Sequence, residues 1–201
     1  MVIDQPRTSI WAVVALIEHP SGDGRFLAIN RPGRPHDVAM IGGKIDAGET
    51  TEQALVREVR EETGIVIDPT SLAWLYDRLD PSVGKVARCF LVARWEGEPR
   101  TCEPGLVVRW ATEADLVDQG NTFCEWSRVA IARARLLGAQ AELRRLRDDV
   151  ETWKQQIEEE REWAMNLGDV NFAAGLAKAQ EIMVEKADLS PVISARKGTN
   201  V

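Results

Sequence analysis

The sequence lacks the features that would place it in a membrane, an oxidising compartment or a general nucleic-acid complex. No run of residues is long and apolar enough to span a bilayer, and the first residues lack the basic-then-apolar order of a signal peptide. The net charge is −7 and no block of lysine and arginine occurs, which argues against non-specific binding to nucleic acid or acidic membranes. The three cysteines, Cys89, Cys102 and Cys124, show no CxxC spacing. We therefore expect reduced thiols and a cytoplasmic location.

The first two thirds of the chain alternate between strand-like and helix-like patterns. Two strands joined by a turn are predicted by the apolar, β-branched run Ser9–His19 and by Arg25–Asn30. The next residues, 31–37, are rich in proline and glycine and predict a loop. Further strands are predicted over residues 72–80, 86–95 and 106–111, the first two as a hairpin, followed by a short helix that Thr112 caps.

The last third predicts helices only. One heptad register of a and d positions runs over ten residues: Leu136, Ala139, Leu143, Leu146, Val150, Trp153, Ile157, Glu160, Ala164 and Leu167. Gly168 and Asp169 indicate a stop and a new cap, and a second helix carries Phe172, Leu176, Ala179 and Met183. The short connection favours an antiparallel hairpin. The division expected is a domain at residues 1–134, a hairpin at 135–188 and a flexible tail at 189–201.

The predicted long helix is too long to bury its apolar stripe on a small domain. Residues 136–167 would extend ~48 Å at about 1.5 Å per residue. We therefore expect the hairpin to pair with a second copy and to give a homodimer through the C-terminal helices. The alternative is a hairpin folded back on its own domain, which the weak stripe positions Ala139 and Glu160 favour somewhat.

A crowded set of glutamates lies in the stretch GGKIDAGETTEQALVREVREETGI, from Gly42 to Ile65. Thr50 with Gln53 predicts a capped helix start, and Gly64 predicts its left-handed end. On that helix Glu58, Glu61 and Glu62 share one face because residues three and four apart are neighbours. Unpartnered, they would repel, whereas Mg²⁺ prefers a few carboxylates together with water and phosphate oxygens. A charged surface face is the plain alternative for the glutamates taken alone.

The spacing of the whole stretch resembles the Nudix box at every fixed position. These nine positions are Gly43, Glu49, Arg57, Glu58, Val59, Glu61, Glu62, Gly64 and Ile65. The chain is therefore identified as similar to the Nudix hydrolases over roughly residues 9–130. The resemblance implies an α/β/α sandwich around a mixed sheet, with the helical hairpin as an addition. It also implies cleavage of a pyrophosphate bond that depends on Mg²⁺ or Mn²⁺. One departure is Ile41, where many members have proline.

The resemblance also assigns roles to residues. Glu58, Glu61 and Glu62 become metal ligands together with the backbone of Gly43, and Glu58 is alternatively the general base. Arg57 and Glu49 orient these ligands. Glu103 follows a turn similar to that of the bacterial MutT proteins and is expected as a fourth carboxylate.

Three further residues are candidates for substrate binding. Arg31 and Arg34 lie before the box, where they could hold phosphates, although a solvated loop is an equal alternative. Asn121 lies near the position where MutT uses an asparagine for its purine. A plain loop residue is the alternative there.

The leading expectation is a pyrophosphohydrolase that splits a (deoxy)nucleoside triphosphate into a monophosphate and pyrophosphate, with sanitation of the nucleotide pool as one role. ADP-ribose, a nucleotide sugar or a dinucleoside polyphosphate is the alternative substrate. Outside catalysis, the domain could act as a nucleotide sensor or serve mainly as a carrier of its helical hairpin. The complete set of carboxylates argues against a pure sensor.

Overall fold

The computed structural model describes residues 10–31, 34–80, 83–118 and 120–187, without the side chains of residues 31, 34–36 and 182–187. The predicted tail at 189–201 therefore lies outside the described residues. The strands are β1 (Ile10–Ile17), β2 (Arg25–Arg31), β3 (Arg34–Ala39), β4 (Ile41–Lys44), β5 (Val66–Ile67), β6 (Leu72–Asp80), β7 (Lys85–Val92), β8 (Trp95–Glu96) and β9 (Val107–Thr112). The helices are α1 (Thr51–Thr63), α2 (Glu113–Val117), α3 (Cys124–Asn166) and α4 (Val170–Ala187), with a 3-10 turn at Pro69–Ser71.

The strands form a mixed four-stranded sheet and two smaller antiparallel sheets. In the large sheet the order is β4-β1-β7-β6. Only the central pair, β1 and β7, is parallel, and β4 and β6 add to it antiparallel. A second sheet has the order β3-β2-β9, and β5 pairs with β8. The predicted hairpin of β6 and β7 and the mixed sheet are confirmed.

Helices cover both faces of the large sheet. Alternate side chains of β1 lie in two different hydrophobic cores, one on each face. On one face Val13, Ala15 and Ile17 pack in a core that also holds Leu55 and Val59 of α1. On the other face Leu16 packs in a core that is completed by three helical residues, Leu116, Ala130 and Ile131. Alternate side chains of a strand point to opposite faces, so one strand serves both layers. The predicted α/β/α sandwich is confirmed.

Helix α1 begins and ends where its sequence predicts. The Thr50 side chain accepts a hydrogen bond from the Gln53 backbone, and the Gln53 side chain accepts one from the Thr50 backbone. At the other end Gly64 has φ +73°, in the left-handed region that favours glycine, and its N–H bonds to the Arg60 carbonyl. These two caps fix the 13 residues that carry the glutamates.

The loop predicted over residues 31–37 is wrong, because most of it is strand β3. Val38 and Ala39 are buried, and their backbones pair with Asn30 and Ile29 of β2. Proline is compatible with this position because β3 is the edge strand of its sheet, where one side of the backbone needs no N–H donor. The Pro- and Gly-rich composition predicted a loop where the structure has a short edge strand.

Helix α3 begins at Cys124, eleven residues before the predicted start of the hairpin at residue 135, whereas α4 ends at Ala187, close to the predicted end. Gly168 stands between them, and the Asp169 carboxylate accepts a hydrogen bond from the Phe172 N–H at 3.0 Å, so the predicted stop and cap are confirmed. The chain divides into two compact units, with the boundary between Leu136 and Leu137. No helix among the described residues has both the length and the apolar composition that a bilayer crossing requires.

The beginning of α3 is tied to the large sheet by two hydrogen bonds from side chains to backbone. The Tyr76 hydroxyl, on β6, donates to the Trp126 carbonyl at 2.7 Å. One residue earlier on β6, the Leu75 carbonyl accepts from Arg133 at 2.9 Å. Tyr76 is only 4% exposed, so this bond forms away from water and holds α3 against the sheet.

We expect Tyr76→Phe to lower the free energy of unfolding by about 1–2 kcal/mol, because the substitution leaves the Trp126 carbonyl without its donor in a buried site. Trp74→Phe is the matched control. It removes the hydrogen bond to Asp77 from an exposed side chain of the same strand, and we expect a change of at most about 0.5 kcal/mol. Urea denaturation of both variants measures the difference. Equal destabilisation by the two substitutions would contradict the anchoring role of Tyr76.

Candidate active site

The glutamates of α1 meet a glycine loop at the end of β4. A Cβ atom built on Gly43 would lie 2.3 to 2.4 Å from the carboxylate atoms of Glu58. A Cβ atom on Gly42 would lie 2.1 Å from the Val13 carbonyl oxygen on β1. Both distances are shorter than any side chain allows. The two glycines therefore let the backbone approach the sheet on one side and the helix carboxylate on the other.

Arg57 holds the carboxylates of this site together. It donates to both oxygens of Glu49, at 2.8 and 2.9 Å, and to the Lys44 carbonyl at 2.9 Å. It also donates to Glu58 at 2.9 Å and to Glu61 at 3.2 Å. The fork of donors on one guanidinium is suited to such multiple contacts. These hydrogen bonds are consistent with the orienting role predicted for Arg57 and Glu49, which stays a prediction.

The three helix glutamates differ in burial. Glu58 has a side chain that is 15% exposed, whereas Glu61 is 61% exposed. Glu62 is buried and accepts a hydrogen bond from the Gly42 N–H at 3.2 Å. Burial raises the pKa of Glu58, and the hydrogen bond and charge of Arg57 oppose that rise. The hydrogen bond from Arg57 lowers the pKa of Glu49. A further cation beside Glu58 would stabilise the charged form of this partly desolvated carboxylate.

Glu103 follows a loop that is hydrogen-bonded to the end of α1. The Cys102 N–H donates to the Glu62 carbonyl at 3.2 Å, and the Arg100 N–H donates to the Thr63 carbonyl at 2.9 Å. Glu103 is exposed and is the next residue in the chain. Glu103, the fourth predicted carboxylate, therefore follows directly on a segment whose backbone is hydrogen-bonded to Glu62 of α1.

The residues of the site fit a hard divalent cation by their chemistry. Three glutamates on neighbouring helix positions supply the oxygen donors that Mg²⁺ and Mn²⁺ prefer. In the described part of the chain no three acidic, His or Cys side chains already converge on one point. Glu58 and Glu61 are instead turned toward Arg57. Because Glu61 is largely exposed, its carboxylate is free to change partner without disturbing the core.

The structure bears differently on the three residues predicted to bind substrate. Arg31 and Arg34 pair across the end of the β2–β3 hairpin, and their side chains lie outside what the structure describes. Asn121 is 3% exposed, and its amide donates to the Val38 carbonyl at 2.6 Å while its oxygen accepts from the Phe123 N–H. We correct its interpretation: the amide is used by backbone groups and anchors the loop after α2, so it is not available to a base.

Sequence reasoning missed the backbone contributions to the site. The Lys44 carbonyl and the Gly42 N–H hold Arg57 and Glu62, yet backbone groups leave no residue-type signal. Asp46 was also missed. Its N–H donates to Glu49 at 3.1 Å, and its carboxylate lies 3.8 Å from Arg57. Asp46 lies in a turn three residues before Glu49, and this position is the signal that could have indicated its part in the site.

The sandwich and the site define a class of α/β protein in which a glycine loop meets a capped helix that carries three glutamates, and a further loop is hydrogen-bonded to the end of that helix. The family model of the NUDIX domain matches residues 9–133. The chain belongs to the NUDIX family, and the resemblance seen in its box is confirmed.

Individual relatives match parts of the chain. The 8-oxo-dGTP diphosphatase of Escherichia coli (strain K12) is 48% identical over 58 residues, which are 29% of this chain and 45% of that protein. The ADP-ribose pyrophosphatase of Methanocaldococcus jannaschii is 34% identical over 115 residues, 55% of this chain and 62% of that protein. The chain thus spans about half to three fifths of the length of these two curated relatives. A solved Nudix hydrolase family member from Chromobacterium violaceum shares the fold, with TM-score 0.50 and 24% identity over 76% of this chain and 98% of that one.

We expect Gly43→Ala to weaken Mn²⁺ binding at least tenfold, because the new methyl group would occupy the space of the Glu58 carboxylate. Isothermal titration calorimetry with MnCl₂ measures the affinity. Gly138→Ala makes the same chemical change where nothing lies within 4 Å of the added atom, and we expect it to leave the affinity unchanged. Wild-type affinity in a folded Gly43→Ala protein would show that Glu58 is not part of the metal site.

Proposed function

We propose that this protein is a Mg²⁺- or Mn²⁺-dependent pyrophosphohydrolase that converts a (deoxy)nucleoside triphosphate into a monophosphate and pyrophosphate. The observation that carries the proposal is the cluster of Glu58, Glu61 and Glu62 beside a glycine loop, with Arg57 bonded to two of the three. A relative with the name 8-oxo-dGTP diphosphatase supports the triphosphate substrate. The proposal includes sanitation of the nucleotide pool and a reducing cytoplasmic setting, which the free thiols of Cys89, Cys102 and Cys124 support.

The proposed reaction needs charge neutralisation and an activated water. A divalent ion held by Glu58, Glu61, Glu62 and the Gly43 backbone, with Glu103 as a further ligand, would neutralise phosphate charge and ease deprotonation of the attacking water. The water oxygen bonds to phosphorus as the bridging bond between the α- and β-phosphates breaks. The proton of the water passes to a carboxylate, and the bridging oxygen leaves with one phosphate.

Burial and hydrogen bonds support a specific part for each residue of the proposed site. Glu58 would alternatively take the proton, in which case Glu61 and Glu62 hold the ion; its burial and raised pKa support this role. Arg57 and Glu49 hold the carboxylates in position, since their mutual hydrogen bonds restrict rotation of the guanidinium. Arg31 and Arg34 remain proposed phosphate contacts, because their backbones pair with each other at the end of the β2–β3 hairpin.

A second substrate class is favoured by the longer of the two curated matches. The relative with the name ADP-ribose pyrophosphatase aligns over 115 residues. ADP-ribose also contains a pyrophosphate bond, so the same carboxylates and the same cation would serve its cleavage. A nucleotide sugar or a dinucleoside polyphosphate belongs to this alternative. A non-catalytic sensor is a weaker candidate because sensing alone needs no complete set of metal-binding carboxylates.

A product-resolved assay over a substrate panel tests the proposal. We expect pyrophosphate release from one or more canonical or oxidised triphosphates to exceed the cleavage of ADP-ribose and diadenosine tetraphosphate in kcat/KM. Glu61→Gln should lower turnover by about 10²–10³, because charge stabilisation at the reacting phosphate is lost. Glu52→Gln, in the first turn of the same helix, should have nearly normal turnover. A tenfold advantage for ADP-ribose or diadenosine tetraphosphate, about 1.4 kcal/mol in transition-state free energy, would replace the triphosphate by the alternative class.

We also propose that the protein is a homodimer held through its C-terminal helices. The support is the exposure of apolar side chains that share the predicted stripe of α3. Leu136, Leu143, Leu146 and Trp153 are between 41% and 58% exposed. Every residue from 137 to 148 is exposed. Such a row of exposed leucines on a long helix is typical of a surface that pairs with another chain.

Light scattering of the full chain should give twice the monomer mass of 22.4 kDa. The double substitution Leu143→Asp and Leu146→Asp should give monomers, because four charges would enter the shared stripe, and should leave the folding of the NUDIX unit unchanged. Leu137→Asp is the control: Leu137 is exposed on the same helix but lies off the stripe. A monomeric full chain would refute the homodimer.

A further inference from the structure

The residues on both sides of the α3 stripe carry opposite charges. We call the a and d positions of residues 136–157 the dimer stripe: Leu136, Ala139, Leu143, Leu146, Val150, Trp153 and Ile157. The g positions beside it hold Glu142, Asp149 and Gln156, and the e positions hold Arg147, Lys154 and Arg161. Residues at e and g of coiled coils set the choice and orientation of the partner helix. One flank is thus acidic and the other basic.

A parallel partner would match these flanks. In a parallel, in-register pair each g residue faces the e residue five positions later on the other helix. Glu142 would then face Arg147 of the second copy, and Asp149 would face its Lys154. The two-fold symmetry of the pair repeats both contacts. Lys154 already bonds to Glu151 on its own helix at 2.7 Å, so its charge is held near this flank.

An antiparallel partner would not match them. In that arrangement e residues face e residues and g residues face g residues. The antiparallel register that is centred on the dimer stripe places Leu146 opposite Val150 of the second copy. It also places Arg147 against Arg147 and Asp149 against Asp149, two pairs of like charges. The antiparallel pair therefore loses both attractive contacts and gains repulsive ones.

The residues within the stripe are compatible with a pair of helices. Val150 and Ile157 are β-branched residues at a positions, and Leu146 is at d, a pattern that favours two strands among parallel coiled coils. The stripe ends before Glu160, a d position where two copies would bring like charges together. Four residues later, at the next a position, Ala164 is fully buried within the single chain.

We propose that two copies of the protein pair through residues 136–157 of α3 as a parallel, in-register coiled coil, with Glu142–Arg147 and Asp149–Lys154 contacts between copies. This inference rests on the homodimer proposed above and adds its orientation and register. The paired segment is about 33 Å long at 1.5 Å per residue. Its amino ends, which follow directly on the NUDIX unit in each chain, lie together at one end of the coiled coil.

Cysteine cross-linking tests the orientation. Leu143→Cys is made in a full-length Cys102→Ser, Cys124→Ser background, which leaves only the buried Cys89 besides the new thiol. Copper phenanthroline with dissolved oxygen supplies the oxidant, which takes up two electrons and two protons as the thiols join. In the parallel pair the two engineered thiols share one layer, and we expect a cross-linked dimer. In the antiparallel pair they lie about 15 Å apart along the axis, beyond the reach of a disulfide.

The same sample separates the two proposals. Light scattering of the reduced variant reports whether the dimer exists. A monomer contradicts the homodimer itself. A dimer without a cross-link retains the homodimer and overturns the parallel orientation. Capture of a different protein in place of a second copy would leave the reduced, purified chain monomeric, so this outcome also overturns the proposal.

Charge reversal provides an independent test because the two orientations give different results. In the parallel pair Arg147→Glu places two acidic residues against each other, and we expect the dimer dissociation constant at low salt to rise about tenfold. Adding Glu142→Lys should restore it. In the antiparallel pair Arg147 faces Arg147, so Arg147→Glu would replace one pair of like charges by another and leave the dimer nearly unchanged. Arg145→Glu makes the same change at a c position away from both flanks and should have little effect. A tighter or unchanged dimer in Arg147→Glu overturns the proposal.

Discussion

Electrostatic repulsion among the glutamates of α1 is the constraint on which the site depends. Three carboxylates on neighbouring helix positions are tolerated in the folded chain because Arg57 bonds to two of them and because the third accepts a hydrogen bond from the glycine loop. Glu49 and the Lys44 carbonyl hold Arg57 in turn. The Arg57 guanidinium therefore joins β4, the loop before α1 and the helix itself. The positions of its hydrogen-bond acceptors determine how these three elements are arranged at the site.

The rest of the NUDIX unit keeps these parts in place. The capping box at Thr50 and the left-handed Gly64 determine where α1 begins and ends, and the buried row of Leu55 and Val59 determines which face it turns to the sheet. The glutamates are consequently on the side that meets Gly43. Arg100 and Cys102 then bond to the last carbonyls of the helix, which brings the Glu103 segment to the same end.

Sequence reasoning succeeded where a residue type has one dominant physical use. The capping box, the left-handed glycine and the spaced glutamates each left such a signal, and so the box, the sandwich and the boundaries of α1 were predicted. Sequence reasoning failed where the tertiary surroundings of a residue decide its conformation or its role. Strand β3 was hidden by proline and glycine that an edge strand tolerates, and the buried amide of Asn121 was interpreted as a ligand contact because burial is not written in residue identity. Backbone groups such as the Lys44 carbonyl leave no signal at all. The roles of the site residues themselves remain predictions.

The exposure of every residue of α3 from 137 to 148 has a consequence for the helical content of the chain in dilute solution. A helical segment whose side chains are all exposed is marginal in water, because the cost of nucleation is offset mainly by packing. In the proposed homodimer its helical content would therefore be coupled to assembly by mass action. Far-ultraviolet circular dichroism of such a protein would vary with its concentration, and secondary structure itself would report the population of the assembled form.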